Sequence, residues 1–206
     1  MGGDESLPSR PSGFDYMCIA IRSPDTLRIV LGTDNEAIVI RKIIKVTWPR
    51  GIEKETIHLN GVHEFELKGC PFGEYTSFSE DAATSRMAER ILHRLYRDGW
   101  KLQISSNLTR TTDLTTWFFK KAPFANDSSQ QFLVVRVCSW DTLMVINAPT
   151  DLHQLFRDAV KKSWPKVIQK WTYEDGVLLI KLKGFFLVSR WGGNCPLKSS
   201  FANNHQ

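Results

Sequence analysis

The segment Lys45-Val46-Thr47-Trp48-Pro49 returns later in the chain as Lys161-Lys162-Ser163-Trp164-Pro165, a spacing of 116 residues. The same spacing pairs Asp25-Thr26-Leu27 with Asp141-Thr142-Leu143, and between Ser23 and Thr56 it gives 11 identities in 34 positions. The register then slips by one residue: Gly61-Val62 matches Gly176-Val177, and Leu67-Lys68-Gly69 matches Leu182-Lys183-Gly184. Rare residue types that agree over two neighbouring registers indicate an internal duplication, the sequence feature that most restricts the fold.

Each copy carries the same order of local signals. Two short β-type runs come first, Tyr16 to Arg22 and Leu27 to Leu31 in one copy, Phe132 to Val137 and Leu143 to Ile146 in the other. A helix follows. In the second copy Leu152, Leu155, Phe156, Ala159 and Val160 have helical spacing, with Thr150 or Asp151 as the expected N-cap; in the first, Val39, Ile40, Ile43 and Ile44 hold the matching places. The Trp-Pro pair ends each helix, because proline disfavours helical geometry in the residue before it. A hairpin closes each copy around Asn60-Gly61 or Asp175-Gly176, both suited to a type I′ turn. The expected fold is therefore α+β: a duplicated ββαββ unit, an antiparallel sheet with helices on one face.

Between the copies lies an insert, with a helix from a Ser79 cap to Asp98 and the apolar stripe Met87, Ala88, Ile91, Leu92 and Leu95. Gly99 ends it, and a hairpin follows with Trp100, Leu102 and Ile104 alternating on one strand and Trp117 and Phe119 on the next. The expected divisions are a disordered lead over 1–13, copy one over 14–73, the insert over 74–125, copy two over 126–188 and a flexible or variant tail over 189–206. A complete second unit would need its own helix and hairpin after Gly184. The polar, aperiodic ending suggests a shortened form, such as a splice variant.

With 206 residues, 42% of them hydrophobic, the chain can bury a sizeable core, and its net charge of +5 permits an anionic partner. Cys18, Cys70, Cys138 and Cys195 are widely spaced with no C-x-x-C pair, and free thiols in a reducing compartment are expected. That expectation places the protein in the cytoplasm, the nucleus or both. No apolar run approaches the length of a membrane span. Met1-Gly2-Gly3-Asp4-Glu5-Ser6 fits the myristoylation pattern, which makes Gly2 a lipidation candidate.

The sequence contains no nucleophile elbow, zinc-protease motif, phosphate loop or dinucleotide fingerprint. His58 and His63 straddle a turn without further ligands at metal spacing, so neither a metal nor a cofactor is expected. The copies also differ at matching positions (Asn35 against Asp151, Ala37 against His153), which argues against a duplicated active site. Asp25 and Asp141 read as turn-forming anchors. The pairs Trp48-Pro49 and Trp164-Pro165 read as anchors that pack each helix end on its sheet.

One feature points to a ligand. Arg86, Arg90 and Arg94, with His93 and Arg97 beside them, put cations on the insert helix opposite its apolar stripe. Arginine forks match phosphate and carboxylate. A solvated charged face is the structural alternative. The expectation is a non-enzymatic adaptor for an acidic or phosphorylated protein partner. The alternatives are a nucleic-acid-binding protein that also uses Trp117-Phe118-Phe119 and Lys170-Trp171, and an N-myristoylated peripheral membrane adaptor. The helix, Gly99-Trp100 and strand order over Leu95 to Ile104, with the Met-Gly start, is similar to raftlins over that segment alone; that resemblance implies acylation and membrane association.

Overall fold

The computed structural model describes residues 15–59, 61–73, 76–107, 113–122, 131–139, 141–163 and 168–183. Gly2, the lead 1–13, Trp164, Pro165, the linker 126–130 and the tail 189–206 lie outside the described residues.

The first unit runs β1 (Tyr16–Arg22), β2 (Thr26–Val30), α1 (Asp34–Thr47), β3 (Ile52–Ile57) and β4 (His63–Leu67). The insert follows as α2 (Phe78–Arg97), β5 (Trp100–Ser106) and β6 (Asp113–Lys121). The second unit is β7 (Val134–Ser139), β8 (Thr142–Ile146), α3 (Thr150–Ser163), β9 (Ile168–Glu174) and β10 (Val177–Leu182). The protein is thus α+β, with two antiparallel sheets and an internal duplication. The strand order is β3-β4-β2-β1-β6-β5 in one sheet and β7-β8-β10-β9 in the other. Read from its hairpin end, the second sheet is β9-β10-β8-β7, strand for strand the order of the first unit.

The duplication extends to backbone detail. Leu31 and Asn147, at matching positions, both take left-handed geometry, with φ of 61° and 59°. For the branched Leu31 that conformation is costly, so the turn into the helix imposes it in each unit. Thr26 donates to the Asp25 carboxylate at 2.9 Å, and Thr142 donates to that of Asp141 at 2.8 Å. The backbone oxygens of the two aspartates accept the N–H of Leu67 at 3.0 Å and of Leu182 at 2.7 Å. Each Asp-Thr pair therefore pins the start of an inner strand to the end of the hairpin beside it.

Trp48 is fully buried and donates its indole N–H to the Lys68 carbonyl at 3.0 Å, locking α1 to the strand end below it. α1 opens with a capping box, Thr33 and Glu36 exchanging bonds across its first turn. Burial pushes the Glu36 carboxyl up, but hydrogen bonds from Thr33 and Trp100 outweigh it and hold the group below its usual range.

The first sheet turns Met17, Ile19, Ile21, Leu27, Ile29, Phe65, Leu67, Trp117 and Phe119 toward α1 and α2. The second sheet is covered on both faces. Val145, Leu178, Ile180 and Leu182 pack with Phe156 and Val160 of α3. Met144, Ile146 and Val177 pack with Ala82 of α2. The α2 helix is accordingly the element the two units share.

Several local expectations change. Ser77, rather than Ser79, caps α2, because Ser77 and Glu80 form the capping box. Thr150 and Asp151 lie inside α3, so neither is its N-cap. In α3, Phe156 and Val160 reach the core while Leu155 and Ala159 are exposed. On β5 the alternation breaks at a bulge between Leu102 and Ile104, which moves Ile104 to the other face.

Candidate anion-binding groove

The α2 helix has three working faces. Ala83, Met87, Ile91 and Leu95 enter the core of the first unit. A second face, near its start, is polar yet buried, and it meets the second unit. There Arg136 of β7 donates to the Asp81 carboxylate at 2.6 Å and to the Thr84 hydroxyl at 3.1 Å. The Asn147 amide donates to Glu89 at 3.1 Å. Burial holds the Glu89 carboxyl above its ordinary range, against the lowering effect of His93, that hydrogen bond and Arg90. Arg86 donates to the carbonyl oxygen of Asp175, in the turn of the second unit's hairpin.

The third face carries Arg90, His93, Arg94 and Arg97, at positions i, i+3, i+4 and i+7 of the helix. With Val39, Lys42 and Ile43 of α1 they line a cavity of about 290 Å³. Val39 and Ile43 supply the aliphatic part of its lining, and the other lining residues are basic. Two of the basic groups already have carboxylate neighbours: Arg94 bonds Asp98 at 2.8 Å, and His93 lies 3.7 Å from Glu89. The His93 ring also stacks on Phe132, with centroids 5.7 Å apart. Lys42, Arg90 and Arg97 are exposed and form no salt bridge among the described residues. Like charges one turn apart cost a few tenths of a kcal/mol per pair. An anion held between α1 and α2 would relieve that repulsion.

The structure therefore brings together four of the five expected cationic residues and moves the fifth. Arg86 does not line the groove; nearer the helix start, it is tied to the Asp175 carbonyl in the turn of the second unit's hairpin. Lys42 is the added member. Its position on α1 gives no periodic signal, and only the packing of α1 beside α2 connects it to the arginines. Asp25, Asp141 and Trp48 act as structural anchors, as the bonds above show; Pro49 sits exposed at the turn after Trp48.

The aromatic residues do not join the groove. Trp117 and Phe119 are core side chains, and Trp171 packs beneath α3 with the Arg157 guanidinium 5.8 Å from its ring. His58 and His63 also separate. His58 is exposed near Glu64, whereas His63 is buried with Nε2 3.0 Å from Asp34 and Nδ1 unpartnered. No group of three or more metal-ligating side chains occurs among the described residues, and none of their helices is long and apolar enough to cross a membrane.

Comparison with known proteins gives three findings. Curated proteins return no match. Among solved structures, the chain is similar to a conserved kinetoplastid-specific protein from Trypanosoma cruzi at 15% identity and a TM-score of 0.38, over 51% of this chain and 95% of that one. One domain-family model matches residues 15–120 and again residues 131–193. Those matches span more than half of the sequence and fall on the two repeated units, so the chain belongs to this domain family and carries its domain twice.

Proposed function

We propose that the protein is a non-enzymatic interaction module that binds an acidic or phosphorylated segment of a partner protein in the groove between α1 and α2. The observation that carries this reading is the convergence of Lys42, Arg90 and Arg97, none of them in a salt bridge among the described residues, beside the aliphatic side chains of Val39 and Ile43. Arginine forks donate to phosphate or carboxylate in bidentate fashion, and the aliphatic lining holds the apolar side chain beside such a group. Among the described residues the groove lining holds no Phe, Tyr or Trp, which suits a peptide better than single-stranded nucleic acid, whose binding draws on base stacking. The free thiols of Cys18, Cys70 and Cys138 are compatible with the cytoplasm or nucleus.

The test is fluorescence anisotropy with an acidic phosphothreonine peptide, its unphosphorylated form, and single-stranded RNA and DNA. Measurements are made at about 0.15 M salt and above, where exposed charges are substantially screened. Saturable peptide binding that weakens at least tenfold in an Arg90→Ala/Arg97→Ala variant supports the reading. Tighter binding of RNA or DNA, lost in the same variant, replaces the protein partner with nucleic acid. Peptide binding that ignores both arginines removes the groove from the account.

A further inference from the structure

Alternation along the strands of the first sheet sorts its side chains onto two faces. Met17, Ile19, Ile21, Trp117 and Phe119 face α1 and α2. The residues between them point to the other side, away from both helices and from the groove the helices form. The pairing registers show which of these are neighbours. Val30, Cys18, Phe118 and Ile104 form one row across β2, β1, β6 and β5. Tyr16, Lys120 and Lys101 form the next row, across β1, β6 and β5.

Tyr16 is 57% exposed and Ile104 58%, Lys101 and Lys120 are exposed, and Phe118 is half-buried; none of the five joins a core cluster among the described residues. Phe118 lies one strand across and two residues along from Tyr16, a diagonal of about 7–8 Å, so the two rings are neighbours. The Lys120 ammonium lies 5.7 Å from the centre of the Tyr16 ring, and Lys101 is its partner across the strands. Like charges directly opposite each other destabilise a sheet, a cost that a bound anion would remove. Neither lysine forms a salt bridge among the described residues, whereas Glu64 and Glu66, toward the other end of the same face, are held by Arg28 and Lys54. The β1-β6-β5 side of this face is therefore both aromatic and cationic.

We propose that this face binds single-stranded nucleic acid, as a second surface on the side of the sheet opposite the groove. Neighbouring bases stack on Tyr16 and Phe118, and their phosphates lie against Lys120 and Lys101. Single strands are held in this way without readout of base edges: aromatic side chains carry the bases while cations follow the backbone. Antiparallel sheets that display aromatic side chains to RNA stack two or three bases by the same means. An apolar protein surface fits less well, because it would bury two ammonium groups without a partner. A duplex keeps its base faces stacked on one another and leaves the rings unused.

The experiment uses the full chain and a short labelled single-stranded RNA of mixed sequence, followed by anisotropy at about 0.15 M salt and above. The comparison probes are an abasic strand of the same length and charge, the matching duplex, and phosphatidylserine vesicles. The expected result is saturable RNA binding at least about fivefold tighter than that of the abasic strand or the duplex. Tyr16→Ala, at an exposed position, and Phe118→Leu, which keeps an apolar side chain and removes the ring, are each expected to weaken it at least about fivefold. Lys101→Ala/Lys120→Ala is expected to lower the slope of log affinity against log salt by about 1.4, two phosphates at about 0.7 each. Arg90→Ala/Arg97→Ala is expected to leave RNA binding unchanged. Absent binding near 0.15 M salt, equal binding of the abasic strand, or indifference to Tyr16 and Phe118 overturns the proposal. RNA binding lost in Arg90→Ala/Arg97→Ala overturns it by placing the strand in the groove. Tighter binding of the vesicles, lost in the lysine variant, overturns it by making a membrane surface the occupant.

Discussion

Replacing Arg136 with alanine tests how firmly the two units are joined. Arg136 reaches from β7 to α2, bonding Asp81 at 2.6 Å and Thr84 at 3.1 Å. The Asp81 side chain is 10% exposed and that of Arg136 34%, so water compensates for only part of what the arginine supplies. Hydrogen bonds to charged groups are worth about 1.5–3 kcal/mol each, and a buried acceptor left unpaired costs a comparable amount. Discounting for the exposure of the guanidinium, and for the hydroxyl of Thr76 that still donates to Asp81, the expected loss is roughly 1–3 kcal/mol. For a chain of this size that lowers Tm by about 2–4 °C per kcal/mol. Urea unfolding of the wild type, Arg136→Ala, Asp81→Ala and the double variant forms a cycle that isolates the pair. A coupling of roughly 1 kcal/mol or more is expected. Strict additivity, or a loss from Arg136→Ala below about 0.5 kcal/mol, would refute the reasoning that a buried polar contact clamps β7 to α2.

Three further outcomes follow from the same geometry. Trp48→Ala is expected to cost about 3–5 kcal/mol by leaving a cavity, while the neighbouring exposed Val46→Ala stays within about 0.5 kcal/mol of wild type; equal effects from the two would contradict the anchor role. Glu89 holds its proton above the ordinary 4.5, so its burial favours the fold below that pH and the advantage is lost as pH rises through the raised value. Chemical denaturation across that window should show a slope that Glu89→Gln flattens, and an unchanged slope would assign the pH dependence elsewhere. Burial pushes the Cys18 thiol up and that of Cys138 to about 11, while Cys70 is exposed, so among these three Cys70 is expected to react first with a disulfide reagent near pH 8. Peptide mapping of the labelled sites decides that order.

Much of the fold can be read from the residues because its local rules are repeated. The Asn-Gly and Asp-Gly turns, the Trp-Pro helix ends and the Asp-Thr strand starts recur at fixed spacing, and each has a local physical cause. The packing between units is not readable in that way. On α2, Asp81, Thr84, Ser85 and Glu89 look like a solvent face, yet all four are buried. Arg136 lies 55 residues beyond Asp81, Asn147 58 beyond Glu89, and Asp175 89 beyond Arg86, with no periodicity to announce the pairings. The same long-range packing took Arg86 out of the cationic face and brought in Lys42. It also left Leu155 and Ala159 exposed although they match the helical stripe, because nothing among the described residues repeats α2 for the second unit.

The most direct measurement is an NMR map of the ¹⁵N-labelled protein titrated with the acidic phosphothreonine peptide at about 0.15 M salt, observing backbone amides and arginine side chains. Shifts are expected to concentrate at Val39, Lys42, Ile43, Arg90, His93 and Arg97, with Arg86 and the contact between the units unmoved. Shifts elsewhere, or none at saturating peptide, would contradict binding in the groove.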